Sequence, residues 1–341
     1  MRKISLIVLV SLTTLTWLPS ANAQSIDRSA PSPMLKNKGE TAWESYKNMR
    51  IKPGQDEQLT DPILEGAIDL HAHFGPDTYP RQWDAFEVAK LAKKRGLRAI
   101  VLKNHWTESA STAYLARKYA DAKGLEIFGA VSLNTTVGGL NGQAIRYLVD
   151  IEGRYGRVVW LPSHDSEHEV THDQETRRFV RASRDGKLLP EIGEILDLVA
   201  QHQLTLATGH LYPEEMLAVL VQAKERGITR IIVTHPNLAS QFTDPTIDQL
   251  RKAASLGAYI EVVAAQLLRD NNRSNTLRMI RAIGPEHCFV SSDSGLPGTN
   301  HTDRLVMAIR ELRKAGFNEA ELDLMFRRNP AILIGLPPLA N

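Results

Sequence analysis

From about residue 64 onward the chain repeats one rhythm. A short apolar run rich in β-branched residues is followed by a loop and then by an amphipathic stretch of helical period. The apolar runs predict strands at Ala67–Leu70, Leu97–Leu102, Leu125–Leu133, Arg157–Leu161, Leu204–Thr208, Arg230–Thr234, Ala258–Val263 and Cys288–Ser292. Between them the pattern predicts helices, among them Ala85–Arg95, Ala110–Ala122, Pro190–His202, Pro213–Arg226, Ile247–Leu256, Ser274–Ile283 and His301–Ala315. Several of these run straight into glycine before the next strand, as at Arg95-Gly96, Arg226-Gly227 and Leu256-Gly257, where glycine supplies a left-handed cap. Strand and helix alternating eight times predict an α/β fold, a (β/α)8 TIM barrel. An open doubly wound sheet is the alternative, weakened because no Gly-rich dinucleotide turn follows the first strand. Two loops are long for a compact barrel: the Gly-rich 134–142 and the His/Asp/Glu/Arg-dense 162–188. Both follow strands, and loops after strands form the catalytic face of such a barrel.

The rhythm does not extend to the N-terminus. Arg2 and Lys3 precede an apolar stretch, Ile4–Leu18, that is too short and too interrupted by Ser and Thr for a good membrane span. Ala21 and Ala23 then fit the small-residue pattern of signal-peptide cleavage. Residues 1–23 are expected to be a cleaved signal peptide, which places the mature chain in the periplasm or outside the cell without a stable membrane anchor. Residues 24–60 read as a polar lead-in segment, and 61–341 as the barrel domain. The single cysteine, Cys288, excludes an intrachain disulfide and thiol-only metal clusters. With 41 basic and 39 acidic residues, no basic excess points to nucleic acid. The expected partner is a small-molecule substrate; a homo-oligomer stays open.

The candidate chemistry lies in the histidines at strand ends. The first strand closes on His71-Ala72-His73. Alternate strand residues face one side, so the two histidines can converge on one ion. The fifth strand closes on His210, the sixth on His235 and the eighth on Ser292-Asp293. All follow apolar strands and so gather at one mouth of the barrel. Imidazole nitrogens with a carboxylate oxygen suit Zn²⁺ and similar divalent ions. A lone His-x-His is a weak signal; five such residues at coordinated strand ends form a strong one.

These residues, with Asp69-x-His71-x-His73 and the closing Asn329-Pro330-Ala331-x-x-x-Gly335-Leu336, resemble the amidohydrolase superfamily over about residues 64 to 336. The resemblance implies a (β/α)8 barrel with one or two divalent ions, zinc foremost. It implies that His71, His73 and often Asp293 hold the more buried ion. It implies that His210 and His235 hold a second, or that His210 completes a single site while His235 polarises substrate. Asp293 would take a proton from the attacking water. One departure stands out. Many two-ion members carry a carboxylated lysine on the fourth strand, and here that strand ends Trp160-Leu161-Pro162-Ser163-His164 with no lysine. Lys103, at the end of the second strand, is the nearest residue in chemical type. It is either a carboxylated bridge between two ions, or a charged substrate contact or a lysine paired with an acid.

His105 and Trp106 follow Lys103 at the same mouth. Together with His164 and His301 they are candidate substrate contacts. His164, His168 and His172 recur every fourth residue, but the acids among them favour a solvated loop over a second metal site. Glu261 lies inside the seventh strand with no assigned role. The chemistry expected of the set is metal-dependent hydrolysis of a C–N or C–O bond in an amide, cyclic amide, lactone or ester. A metal-dependent decarboxylase of the same superfamily is the alternative. A phosphoesterase ranks lower, and a non-catalytic periplasmic binding protein would not need this set of residues.

Overall fold

The computed structural model describes residues 59–78, 80–236 and 245–337. The predicted signal peptide and all but the last two residues of the lead-in lie outside them. Eight parallel strands follow one another in chain order around a barrel: β1 Ile68–His73, β2 Ala99–Lys103, β3 Glu126–Ser132, β4 Gly156–Trp160, β5 Thr205–Ala207, β6 Ile231–Val233, β7 Ala258–Val263 and β8 Cys288–Ser291. Each overlaps the predicted apolar run. No described helix is long and apolar enough to cross a membrane.

The barrel closes through backbone and side chain together. Ala72 bridges to Ser294, and the His73 N–H donates to the Ser294 carbonyl at 2.9 Å. Asp69, fully buried, accepts from the backbone N–H of His71 at 3.2 Å and of Ser292 at 3.0 Å. The acid of Asp69-x-His71-x-His73 therefore ties β1 to β8.

Burial sorts the strand residues into two layers, as period-two alternation requires. Ile68, Leu70, Val101, Phe128, Ala130, Val158, Trp160, Ile232 and Phe289 fill the barrel interior. Ile100, Leu102, Ile127, Val131, Val159, Ile260 and Val262 pack outward against the helices. The final helix, Asn329–Ile334, turns Ala331, Leu333 and Ile334 against the interior residues. Asn329 donates to the carbonyl of Cys288 at 2.6 Å and of Pro285 at 3.0 Å. The Asn-Pro-Ala motif thus pins that helix to the start of β8.

Strand β1 departs from strict alternation. Asp69 pairs with Ile100 and Ala72 with Leu102, so three residues of β1 span two of β2. The extra residue reverses the parity of the strand. Ile68 and Leu70 face inward before it; after it Ala72 packs outward, while the His71 ring comes 5.6 Å from that of interior Trp160.

The 162–188 segment is more ordered than a solvated loop. It contains the helix Glu167–His172, capped by Ser166, and a short antiparallel ribbon between Ser183–Arg184 and Lys187–Leu188. Asp165, Ser166, His168 and Glu169 within it are buried. Its acids are paired, Glu169 with His164 and His210, Asp165 with Arg177 and Glu167 with Arg181, and charge content alone misjudges such a segment.

The strand ends crowd where the candidate residues sit. Gly209, with φ +60°, brings the end of β5 so near β4 that an added Cβ would lie 2.3 Å from the Leu161 carbonyl oxygen. Gly227 has a similar φ of +72° with nothing within 4 Å of an added Cβ. Gly227→Ala is expected to lose about 1–2 kcal/mol from the left-handed backbone alone. Gly209→Ala should lose about 1–3 kcal/mol more through overpacking. Urea unfolding of both variants checks this, and equal losses would show that the close approach carries no energetic weight.

Candidate metal centre

The strand ends deliver their side chains to one mouth. Thr208 and Thr234 exchange bonds between β5 and β6: Thr234 N–H donates to Thr208 Oγ1 at 3.1 Å, and Gly209 N–H to Thr234 Oγ1 at 3.0 Å. The next residues, His210 and His235, are thereby held side by side, their Nε2 atoms 3.4 Å apart. Asp293 follows β8 with a φ of +45°, a left-handed conformation that Asp tolerates better than most residues and that is common at functional sites.

Ligand atoms of His71, His235 and Asp293 lie within 4.8 Å of one another. The tautomer of His71 follows from its partners. Its Nδ1 faces Glu261 Oε1 at 2.9 Å, so the proton of a neutral ring sits on Nδ1 and Nε2 carries the lone pair. That lone pair points at Asp293 Oδ1, 3.1 Å away. Two acceptors at that distance need a cation or a proton between them. Two imidazole nitrogens and a carboxylate oxygen are a donor set suited to zinc, so the residues present fit a divalent ion. Glu261, inside β7, also accepts from Ser291 Oγ at 2.6 Å and from the His235 N–H at 3.2 Å. Carboxylates that fix a ligating histidine in this way are commonly worth about 10–100-fold in metal affinity.

His73 takes a different place. Arg81 donates to its Nδ1 at 3.2 Å, and Arg81 is itself held by Asp77 at 2.6 Å. Since arginine only donates, the proton of a neutral His73 ring sits on Nε2, which donates to Asp293 Oδ1 at 3.1 Å. In this geometry His73 orients Asp293 and is not one of the three converging residues. Lys103, 1% exposed, donates from Nζ to His71 Nε2 at 2.8 Å and lies 4.8 Å from the centre of the Trp160 ring.

His210 is set by a residue whose role sequence reasoning missed. The Glu169 carboxylate spans two rings, 2.6 Å from His164 Nδ1 and 2.5 Å from His210 Nδ1. The only sequence signal was Ser166-x-x-Glu169, the spacing of a helix start. His164 packs on His105, ring centres 4.2 Å apart, and His105 stacks on His73 at 4.6 Å, with Trp106 beside them. His105, Trp106 and His164 therefore share the mouth. His301 lies beneath it, 3% exposed, donating from Nε2 to the His73 carbonyl at 2.8 Å. It supports the β1 end instead of facing the opening.

Burial and neighbouring charge set the protonation states. Burial pushes the Glu261 carboxyl up, but His71 and the other hydrogen-bonding neighbours outweigh it and hold it at about 2. Asp293 and Glu169 are likewise held well below the usual carboxylate range, burial being overcome by the facing histidines. Burial, helped by His210, brings His235 down to about 3. Burial also drives His73 and His105 well below the ordinary imidazole range, aided by Arg81 and His164 respectively. Lys103 falls to about 8 through burial.

Comparison with known proteins agrees with this architecture. A family model described as a family of unknown function, DUF6282, matches residues 66–261, and the chain belongs to that family. No curated protein matches the chain. Among solved structures, an amidohydrolase from Pseudomonas aeruginosa is similar at 12% identity and a TM-score of 0.53, covering 80% of this chain and 97% of its own. An amidohydrolase from Burkholderia multivorans with bound zinc is similar at 15% identity and 0.52, covering 80% and 99%. A probable 2-pyrone-4,6-dicarboxylic acid hydrolase from Acinetobacter baumannii is similar at 18% and 0.51, covering 80% and 100%. At these identities the likeness is one of fold, a (β/α)8 barrel.

The protonation states set the acid response. Unfolding returns His73, His105 and His235 to ordinary values near ~6.5, so the unfolded chain binds protons that these residues refuse in the native chain. Stability is then lost as pH falls below that value. It is lost further below about 4, where the unfolded carboxylates take up protons that native Glu261, Glu169 and Asp293 do not. Melting of the chelated protein should therefore drop steadily from pH 6.5 to 4, and His235→Gln should make the slope shallower. Parallel curves for the two proteins would contradict the buried neutral state of His235.

Proposed function

We propose that this protein is a metal-dependent hydrolase that cleaves a C–N or C–O bond of a small molecule, an amide, cyclic amide, lactone or ester. The observation that carries this reading is the convergence of His71 Nε2, His235 and Asp293 at the open mouth of the barrel, with His71 fixed from behind by Glu261. A divalent ion held there, zinc by the chemistry of its donors, supplies a Lewis acid and a water acidified toward a pKa of about 7.

The chain's own residues divide the remaining work. Asp293 is the member of the three that meets solvent, its side chain 18% exposed. Its Oδ1 accepts from His73 Nε2, so Oδ2 is the oxygen that takes the proton of the attacking water and returns it to the leaving group. His73, braced by Arg81, keeps the carboxylate from rotating. His235, neutral across the physiological range, serves as a ligand or polarises the substrate carbonyl. His210 stands behind it, fixed by Glu169. Lys103 is the group through which a second ion would be bridged if its amine were carboxylated. His105, Trp106 and His164 line the approach.

The mature chain, read from the signal-peptide pattern of residues 1–23, starts near Gln24 and works in the periplasm or outside the cell. Intact mass of exported material should show loss of the first 23 residues.

A panel of amides, cyclic amides, lactones and esters, with parallel detection of released carbon dioxide, tests the reaction class; carbon dioxide without water uptake would make the protein a decarboxylase. On the substrate so found, Asp293→Asn should lower turnover by about 10²–10⁴-fold, the usual contribution of a positioned proton acceptor. Metal content should be largely kept, because the histidines supply most of the donors. Near-normal turnover with metal retained would remove Asp293 from the proton-accepting role.

A further inference from the structure

The segment after β4 grips one histidine from three sides. The His210 N–H donates to the Pro162 carbonyl at 2.9 Å, and His168 Nδ1 lies 3.3 Å from the His210 carbonyl. The Glu169 carboxylate takes the ring at Nδ1. Glu169 is itself placed by a helix start, where its N–H donates to Ser166 Oγ at 3.1 Å. That helix is tied down where the Glu167 N–H meets the Val180 carbonyl at 3.0 Å. The acids of the segment choose different partners. Asp165 and Glu175 are paired with Arg177, and Glu167 with Arg181. Glu169, 1% exposed, is paired instead with two imidazoles, His210 at the centre and His164 in the approach.

That choice has a chemical consequence. Arginine donates whatever faces it, whereas a neutral imidazole has two tautomers. An ionised carboxylate only accepts, so each ring turns an Nδ1–H toward Glu169, and in the neutral form its lone pair goes to Nε2. For His210 that nitrogen lies 3.4 Å from His235 Nε2, with the ring centres 5.0 Å apart. The His164 ring packs on His105 at 4.2 Å, and its side chain is 17% exposed. One buried carboxylate therefore sets both the ring that backs His235 and a ring that meets solvent at the mouth.

We propose that Glu169 is a positioning residue shared by the centre and the approach: its two oxygens hold His210 against His235 and His164 in the wall of the opening, so that the tautomers of both rings depend on one group. The proposal rests on the hydrolase reading and adds to it a residue that acts only through two histidines. Glutamine in its place supplies one acceptor and one donor. It can keep an Nδ1–H on only one of the two rings, and the other must then carry its proton on Nε2.

The test uses the full mature chain with ¹⁵N-labelled histidine, first free of metal and then titrated with zinc against a chromophoric chelator. In the metal-free wild type, NMR should show His164 and His210 both protonated at Nδ1. In Glu169→Gln at least one of the two should carry its proton on Nε2, and zinc should bind about tenfold more weakly or worse, the scale of carboxylates that orient ligating rings. A merely structural role would lower the melting temperature and leave the tautomers as they were. If Glu169→Gln melts too early to read, the His164 variants decide. His164→Phe removes one N–H and leaves Glu169 in place, and should weaken zinc severalfold. His164→Asn, whose amide returns an N–H toward Glu169, should recover most of that loss. In the Glu169→Gln background His164→Phe should add nothing, because effects through a shared partner are not additive. Both rings still protonated at Nδ1 in folded Glu169→Gln, or an unchanged zinc affinity, overturns the positioning role. Losses that simply add, or a His164→Phe protein with wild-type zinc affinity, overturn the sharing. A wild type without zinc uptake or turnover overturns the hydrolase reading alone, since the Nδ1–H signals of the metal-free protein still decide on Glu169.

Discussion

One extra residue in β1, between Asp69 and Ala72, decides where the first two histidines point. With Ile68 and Leu70 inside the barrel, unbroken alternation would have turned His71 and His73 outward among the helix-facing residues. The slip reverses the strand after Leu70. Asp69 holds the reversed segment against β8 by accepting from the backbone of both His71 and Ser292. Everything at the centre then depends on this turn of one strand. His71 meets Glu261 and Asp293, His73 meets Asp293 and Arg81, and His301 supports the strand end from below.

The second constraint is electrostatic. Glu261, Glu169, Lys103 and six histidines are buried around one cavity mouth, and such groups are tolerated only when paired. The structure meets this by giving each carboxylate two or more partners. Glu261 takes His71, Ser291 and the His235 backbone; Glu169 takes His164 and His210. These pairings also fix tautomers, which determines which nitrogen of each ring is left to face the centre.

The fold was legible because its signals are local. Eight apolar runs separated by amphipathic stretches recur with a period that few architectures share, and glycine closes helices at Gly96, Gly227 and Gly257, where φ is indeed positive. The strand-end residues His71, His210, His235 and Asp293 were legible for the same reason, since a polar residue ending an apolar strand of a barrel has only one mouth to occupy. Glu169 was not, because its partners come from positions 164 and 210 and its own neighbourhood reads as a charged surface loop.

The sequence by itself therefore determined the barrel, the order of its strands and the set of residues at the C-terminal ends of those strands, since each follows from periodicity within a few residues. The tertiary structure decided how those residues divide. It separated His71, whose Nε2 carries the lone pair and accepts from Lys103, from His73, which Arg81 turns into a donor to Asp293. It placed His301 against the β1 end and put Glu169 and Glu261 behind the histidines. The physical reason is that a side chain's hydrogen-bond partners come from strands and loops far apart in the chain, and a ring's tautomer and a carboxylate's charge are properties of those partners and not of the residue.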